Sequence, residues 1–204
     1  RSPPKSRLLE AGCGYGLFLQ HIRDVASTLT GTEVSAPTAE SARKRNPHAH
    51  IVTGTLEAVD FPPESFDCIV LIAVFEHLKD PKAMLKKLQG WLAPGGLIIL
   101  QVPYVQTFIR MQRWIPFLPI SFEAPRHLFD YSPKTLPRYL MECGFHSCRV
   151  EISRPYYSDF SWHSFLIWAV KSPGFVLHWL TGGRYVFPFA CGIVAHALKK
   201  QEDL

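Results

Sequence analysis

Three glycines at alternate positions, Gly12, Gly14 and Gly16, constrain this chain more than any other feature of its sequence. They follow an apolar stretch that begins at Leu8, and they precede a helix-like pattern that begins at Leu17. Glycine lacks a Cβ atom, so it permits tight turns and a close approach of the backbone to a ligand. A strand that leads through such a turn into a helix builds a nucleotide pocket at the edge of a parallel sheet. The alternative is an ordinary tight turn with no ligand.

The spacing of these glycines distinguishes between two kinds of cofactor. A dinucleotide fingerprint has its third glycine one position later, where this chain has Leu17, so an NAD-dependent oxidoreductase is disfavoured. With Glu10 two residues before Gly12, the G-x-G-x-G order resembles the first motif of the class I S-adenosylmethionine-dependent methyltransferases. The resemblance implies a pocket for the methionine tail and the cationic sulfonium, shaped by Glu10, Gly12, Gly14 and Gly16.

Two further segments extend the resemblance. Glu33 stands about twenty residues after the glycine turn, where an acid holds ribose hydroxyls, and residues 31–35 resemble the family's second motif. Residues 54–57 resemble the loop that covers adenine, although the family often has an acid where this chain has Thr55. An alternative for this loop is that Leu56 packs in the core and Glu57 begins a helical turn. The cofactor-binding residues implied by the resemblance are Glu10, Gly12, Gly14, Gly16, Glu33, Val34, Leu56, Glu57 and Ala73.

Two histidine-containing segments are candidates for the acceptor side of the site. Residues 66–72 predict a buried central strand, and the stretch after it, with His77, resembles the EHL-x-DP segment of small-molecule methyltransferases. A later stretch, with His127, resembles the RHL segment of the same group. The resemblance implies that His127, and after it His77, is catalytic or orients the substrate; the alternative is that each imidazole braces its own loop. The histidines are otherwise scattered without metal-ligand spacing, so the sequence predicts no metal site.

The order of the apolar segments predicts the fold class. Strand-like and helix-like patterns alternate, which indicates an α/β fold, and the resemblance implies a Rossmann-like doubly wound sheet, mostly parallel with an antiparallel last strand. Predicted strands cover 7–10, 28–34, 49–53, 66–72, 97–103, 145–153 and 187–198; predicted helices cover 16–26, a segment opened by Pro37, 81–92, and a segment from Ser132 to Gly144. We predict a single methyltransferase domain over residues 1–204, with insertions at about 104–127 and 161–186, the second being helical and rich in aromatic residues.

Composition narrows the functional classes. The net charge of +5 is not clustered into a basic stripe, which disfavours dedicated nucleic-acid binding. The five cysteines form no C-x-x-C pair, which indicates free thiols and a cytoplasmic location. No stretch reaches the roughly 18 apolar residues of a membrane span. Because the chain does not begin with methionine, we expect it to be a fragment that lacks an N-terminal helix or extension.

Residues 161–186 form an unusually apolar segment that contains Trp162, Trp168 and Trp179. Three interpretations remain open: a helix pair packed on the sheet, peripheral contact with a membrane, or a cover over a lipophilic substrate. We predict an enzyme that transfers a methyl group from S-adenosyl-L-methionine to an O or N atom of a small, lipophilic molecule. The alternative is a catalytically inactive methyltransferase-like protein that binds a partner or a membrane surface. The sequence leaves the acceptor and the oligomeric state open.

Overall fold

The computed structural model describes residues 6–104, 127–153 and 192–200. The strands in these ranges are β1 (Arg7–Ala11), β2 (Thr28–Glu33), β3 (His50–Thr53), β4 (Phe66–Ile72), β5 (Leu92–Pro103), β6 (Phe145–Ile152) and β7 (Gly192–Lys199). The helices are α1 (Leu17–His21), α2 (Ala36–Arg45), α3 (Pro81–Trp91) and α4 (Thr135–Glu142), with a 3₁₀ turn at Phe75–His77. None of the helices in these ranges has the length and apolar character that a membrane span requires. The predicted insertion 161–186, and all but the ends of 104–127, lie outside the described residues.

The strands form a seven-stranded sheet in the order β3-β2-β1-β4-β5-β7-β6. The first five strands in this order run parallel, and β7 lies antiparallel between β5 and β6. The predicted Rossmann-like sheet is therefore confirmed. The chain winds outward from β1 in one direction and from β4 in the other, and open sheets of this kind bind ligands where the winding reverses. A ligand site is therefore expected at the carboxyl ends of β1 and β4.

Two apolar clusters cover the faces of the sheet, because successive side chains of a strand point to opposite faces. Leu9 of β1 belongs to the larger cluster, together with Leu85 and Leu88 of α3. The neighbouring residue Leu8 packs against the smaller cluster, which contains Leu19 of α1. Burial on both faces explains why β4 is almost continuously apolar. The larger cluster packs against both β1 and β4, so the loops at the carboxyl ends of these strands have a well-packed base.

Two predicted boundaries differ from the structure. Helix α1 ends at His21 rather than near residue 26. Ile22 and Ala26 still pack against the smaller cluster, but Arg23 and Asp24 between them are exposed and Val25 is 62% exposed, so these residues form a turn and do not continue the helix. Strand β5 begins at Leu92 rather than at residue 97. Residues 93–96, which include Pro94 and two glycines, belong to this strand as an irregularity, with Gly95 at a φ of +73° and a register shift opposite residues 66–68.

The ends of α3 and α4 show how local chemistry begins and ends these helices. Asp80 begins α3 because its Oδ1 accepts a hydrogen bond from the Ala83 backbone N–H at 2.9 Å. Ser132, the predicted cap of α4, lies before the helix; its hydroxyl accepts from the Thr135 N–H at 3.1 Å. Gly144 follows the end of α4 with a φ of +87°, as predicted for a glycine that terminates a helix.

Candidate functional site

A cavity of about 620 Å³ opens at the carboxyl ends of β1, β2, β3 and β4. Its volume lies in the range typical of small-molecule and cofactor sites. The described residues that line it are Gly12, Thr32, Glu33, Val34, Gly54, Thr55, Leu56, Glu57, Ile72, Ala73, Val74, His77 and Leu78. Most of the predicted site residues are thus brought to one place, whereas Glu10, Gly14, Gly16 and His127 are not part of this lining.

The glycine turn has the backbone conformation that the sequence predicts. Gly12, Gly14 and Gly16 have φ values of +78°, +53° and +71°. A Cβ atom at Gly12 would lie 2.5 Å from Cγ2 of Val74, whereas a Cβ atom at Gly14 would meet nothing within 4 Å. Only the φ angle therefore requires glycine at position 14. The turn presents bare backbone beside the cavity, which leaves room for a ligand.

Glu33, at the end of β2, ties the glycine turn to the neighbouring strand. Its Oε2 accepts a hydrogen bond from the Gly14 N–H at 3.0 Å, and its Oε1 accepts from the Ser35 N–H at 2.9 Å. Thr32 adds a second tie, because its Oγ1 accepts from the Gly12 N–H at 3.2 Å. The predicted ribose-binding acid therefore also organises the turn, a function that its position in the sequence does not indicate.

Asn46, which follows α2, is a second support that the sequence analysis missed. Its side chain is fully buried, and its Nδ2 donates to the carbonyl oxygens of Gly16 at 2.9 Å and Ala42 at 3.1 Å. Arg45 also donates, to the Tyr15 carbonyl at 3.0 Å. These contacts hold the turn from the side opposite to Glu33. The only signal in the sequence is an asparagine directly after a helix, which more often marks a helix end.

Gly14 and Gly16 allow a matched test of the support that Asn46 gives to the turn. Gly14→Ala is expected to lower the free energy of unfolding by about 1–2 kcal/mol, because a non-glycine residue at positive φ is strained. Gly16→Ala is expected to cost about 1 kcal/mol more, since its Cβ would overlap the Asn46 amide and disturb a buried hydrogen bond. Urea denaturation of the two variants measures the difference. Equal losses would show that the Asn46 contact contributes nothing to stability.

Glu10 lies beneath the turn and outside the cavity lining. Its side chain is 3% exposed, and burial raises its pKa to about 8, although a hydrogen bond from the Leu19 backbone opposes this rise. The carboxyl group is therefore mostly protonated at neutral pH. A mostly neutral group gives little charge to attract a sulfonium, so this geometry favours a role in holding the start of α1.

The loop predicted to cover adenine serves two purposes. Leu56 is 8% exposed and belongs to the larger core cluster, but it also lines the cavity. The Ala58 N–H donates to the Thr55 carbonyl at 3.0 Å, and this bond closes a turn that contains Leu56 and Glu57. Across the cavity Val34 is 64% exposed despite being apolar. Leu56 and Val34 therefore offer apolar surface that an aromatic base could contact.

His77 and His127 meet at the other end of the cavity. Their ring centroids are 4.9 Å apart, and His77, which is 41% exposed, lines the cavity. The two segments are joined by main-chain bonds, since the Leu128 N–H donates to the Glu76 carbonyl at 2.9 Å. Ala73, which begins this loop, holds a φ of +54° that non-glycine residues seldom adopt. The fold therefore pairs two histidines that the sequence analysis considered separately.

Comparison with known proteins gives a match over most of the chain. A family model described as "Methyltransferase domain" matches residues 1–148. A ubiquinone biosynthesis O-methyltransferase of Bradyrhizobium sp. (strain ORS 278) is 31% identical over 149 residues, covering 67% of this chain and 56% of the relative. A malonyl-(acyl-carrier protein) O-methyltransferase of Erwinia billingiae is 27% identical over 149 residues, covering 68% of this chain and 59% of the relative. The chain spans about half the length of the curated relatives it matches.

Solved structures show the same fold. The crystal structure of an S-adenosylmethionine-dependent methyltransferase from Mesorhizobium loti superimposes with a TM-score of 0.67. The alignment covers 98% of this chain and 93% of that one, with 17% sequence identity. At this identity the likeness shows the fold alone, and the chemistry must be argued from the residues in the cavity.

Proposed function

The chain belongs to the methyltransferase domain family, and from this premise we propose that it transfers a methyl group from S-adenosyl-L-methionine to an oxygen or nitrogen atom of a small, lipophilic molecule. The observation that carries the proposal is a cavity of about 620 Å³ at the sheet ends that is lined by Glu33 and by the backbone of Gly12. Glu33 also accepts a hydrogen bond from the Gly14 N–H, so the cavity offers one acid beside the glycine turn, which suits a ligand with a ribose and a compact charged tail.

The cofactor would lie across the switch point of the sheet. A carboxylate has about four acceptor sites, so Glu33 can accept from ribose hydroxyls while it retains the N–H groups of Gly14 and Ser35. Adenine would lie between Val34 and the 55–57 loop, with Leu56 and Glu57 at its border. The remaining residues implied by the resemblance, Glu10, Gly14 and Gly16, would shape the turn from beneath, and Ala73 would form the floor.

Methyl transfer from a sulfonium is a direct displacement, so the enzyme must above all align two reacting atoms at about 3–3.5 Å. The histidine pair lies at the end of the cavity where an acceptor would approach, and we place the acceptor beside His77 and His127. The residues that resemble the EHL-x-DP and RHL segments therefore act together in this proposal. Oxygen is favoured as the acceptor atom, since the Bradyrhizobium and Erwinia relatives are named O-methyltransferases.

The lipophilic character of the acceptor is inferred from composition. Residues 104–127 and 161–186 are rich in aromatic side chains. Aromatic side chains supply the apolar surface that a lipophilic ligand requires. We propose that these insertions cover the acceptor, and the partner of the protein is then this small molecule.

Two assays test the proposed function. Isothermal titration calorimetry with S-adenosylhomocysteine is expected to show saturable binding with one site per chain. A methyl-release assay with a panel of apolar phenols and amines should then yield S-adenosylhomocysteine above the background without acceptor. Absence of binding to both the methyl donor and its demethylated product would overturn the proposal. Binding without turnover on any acceptor of the panel would support the inactive alternative.

A further inference from the structure

Three metal-binding side chains converge beside the cofactor cavity. Glu76 and His77 belong to the 3₁₀ turn after β4, and His127 comes from the later segment that crosses it. One potential ligand atom from each of the three lies within 4.8 Å of the other two. The Glu76 side chain is 1% exposed, whereas His77 is 41% exposed and reaches the cavity. The cluster therefore has a buried base and an open side.

The backbone holds this cluster together independently of the side chains. The Leu128 and Phe129 N–H groups donate to the Glu76 carbonyl at 2.9 and 3.3 Å, and the His77 N–H donates to the Val74 carbonyl at 3.0 Å. Below them, the rings of Phe75 and Tyr131 pack at a centroid distance of 4.9 Å. The segments that carry the three side chains are thus fixed relative to each other, which is the condition for a preorganised site.

The donor set has a definite chemical preference. Two imidazoles and one carboxylate bind zinc in open catalytic sites, and the same set suits other first-row divalent ions. Zinc bonds of about 2.0–2.2 Å bring ligand atoms to roughly 3–4 Å from one another, so the cluster would contract by about 1 Å. His77 can supply this movement through its side-chain torsions, because it is partly exposed. A buried carboxylate is also among the groups that commonly coordinate metals.

We propose that Glu76, His77 and His127 bind one divalent transition-metal ion, with zinc as the reference ion, at the acceptor end of the cavity. The proposal replaces the sequence prediction that the protein has no metal site. That prediction rested on spacing along the chain, and His127 joins the other two only through the fold. The fourth coordination position, toward the cavity, would then be left for a ligand from the substrate.

The position of the ion at the acceptor end implies that it activates the acceptor, and this inference rests on the proposed function. An acceptor hydroxyl that binds the ion loses its proton to solvent more readily, because the cation stabilises the oxyanion. A lone pair of this oxygen then forms the new O–C bond with the methyl group. The electron pair of the broken S–C bond stays on sulfur, which becomes a neutral thioether. The site thus favours an oxygen acceptor whose hydroxyl can reach the histidine pair.

Metal binding can be measured without turnover. Untagged protein is stripped with a chelator, returned to metal-free buffer and titrated with Co²⁺ while the visible absorption is recorded, and Zn²⁺ is then added in competition. We expect one equivalent of Co²⁺ per chain, a visible band from imidazole ligands, and displacement by Zn²⁺. The His77→Ala/His127→Ala double variant is expected to lose at least 100-fold in affinity, and Glu76→Gln should lose affinity as well. Glu76 is buried, so a loss of binding in Glu76→Gln can also result from misfolding. The single variant His77→Ala changes a partly exposed side chain and avoids this ambiguity.

The matched control is the His48→Ala/His50→Ala double variant. These two histidines are exposed and lie two residues apart at the start of β3, so in the described chain they serve as the control for adventitious binding of a metal ion to surface histidines. Their removal should leave the band and the stoichiometry unchanged. Absence of cobalt binding, or an unchanged band in the His77→Ala/His127→Ala variant, would overturn the metal site. Calorimetry with S-adenosylhomocysteine on the same samples separates this failure from a failure of the methyltransferase proposal, because that ligand requires Glu33 and no metal.

Discussion

Replacing Glu33 with alanine is expected to weaken the binding of S-adenosylhomocysteine by about 10- to 100-fold. Hydrogen bonds to a charged group contribute roughly 1.5–3 kcal/mol, and this variant would remove those that we propose between Glu33 and the ribose. It also releases the Gly14 and Ser35 N–H groups that the carboxylate holds at 3.0 and 2.9 Å. The turn would therefore lose a support at the same time as the ligand loses its acceptor. Isothermal titration calorimetry at neutral pH measures the change in Kd.

Two further variants make this result specific. Glu40→Ala removes an exposed acid from α2 that forms ion pairs with its helix neighbours Arg43 at 3.5 Å and Lys44 at 3.8 Å, so binding should be unaffected. Glu33→Gln retains the length of the side chain and one oxygen, and it should lose less affinity than the alanine variant. An affinity in Glu33→Ala equal to that of the parent protein would contradict the assignment of this residue to the cofactor site.

The second large effect concerns Glu10 and the dependence of stability on pH. Its pKa is about 8 in the folded protein because the group is buried, compared with an ordinary value of 4.5. Between these values the folded protein retains a proton that the unfolded chain releases. The stabilisation is therefore complete below about pH 4.5 and is lost as the pH rises through 8. From pH 5 to pH 8 we expect the free energy of unfolding to fall by on the order of 3 kcal/mol, at about 1.4 kcal/mol per pH unit.

The Glu10→Gln variant should remove most of this slope, because an amide remains neutral at every pH. Urea denaturation at pH 5, 6, 7 and 8 compares the two proteins, and Glu40→Gln serves as the exposed control. The nearby Cys13 thiol does not interfere, since burial raises its pKa to about 12 and it stays protonated throughout. Identical slopes in the parent and Glu10→Gln would mean that Glu10 does not retain its proton in the folded protein.

The sequence analysis succeeded where the determining interactions are local. Alternation of strand-like and helix-like segments predicted the α/β class, the family resemblance implied the mostly parallel sheet, and the three glycines predicted a turn, in which all three φ angles are positive. It failed at α1, which ends at His21 because residues 23–25, which follow, are exposed and only Ile22 and Ala26 on either side of them pack against the smaller cluster. It also misplaced the start of β5, since Gly95 fits inside a strand irregularity as well as in a turn. In both cases the outcome depends on whether a partner surface exists, which a local pattern does not record.

The same distinction between local and tertiary interactions applies to the candidate site. The position of Glu33 relative to the glycine turn follows from the strand–turn–helix–strand order, and its spacing was sufficient to predict an acid that lies at the end of β2 and lines the cavity. The support that Asn46 provides beneath Gly16 could not be predicted, because a single asparagine after a helix has many uses. The meeting of His127 with Glu76 also could not be predicted, because residues distant in sequence became neighbours only after the sheet had formed.

By itself, the sequence determined the α/β class, the glycine turn and the acid at the end of the next strand, because backbone conformation and hydrophobic periodicity depend on adjacent residues. Only the tertiary structure decided that both oxygens of Glu33 accept backbone N–H groups, that Glu10 is buried beneath the turn, and that two histidines and a glutamate meet at one end of the cavity. The physical reason is that hydrogen bonds and ion coordination require atoms within a few ångströms. Which atoms come that close is set by the order of strands in the sheet and by the packing of the loops at its edge.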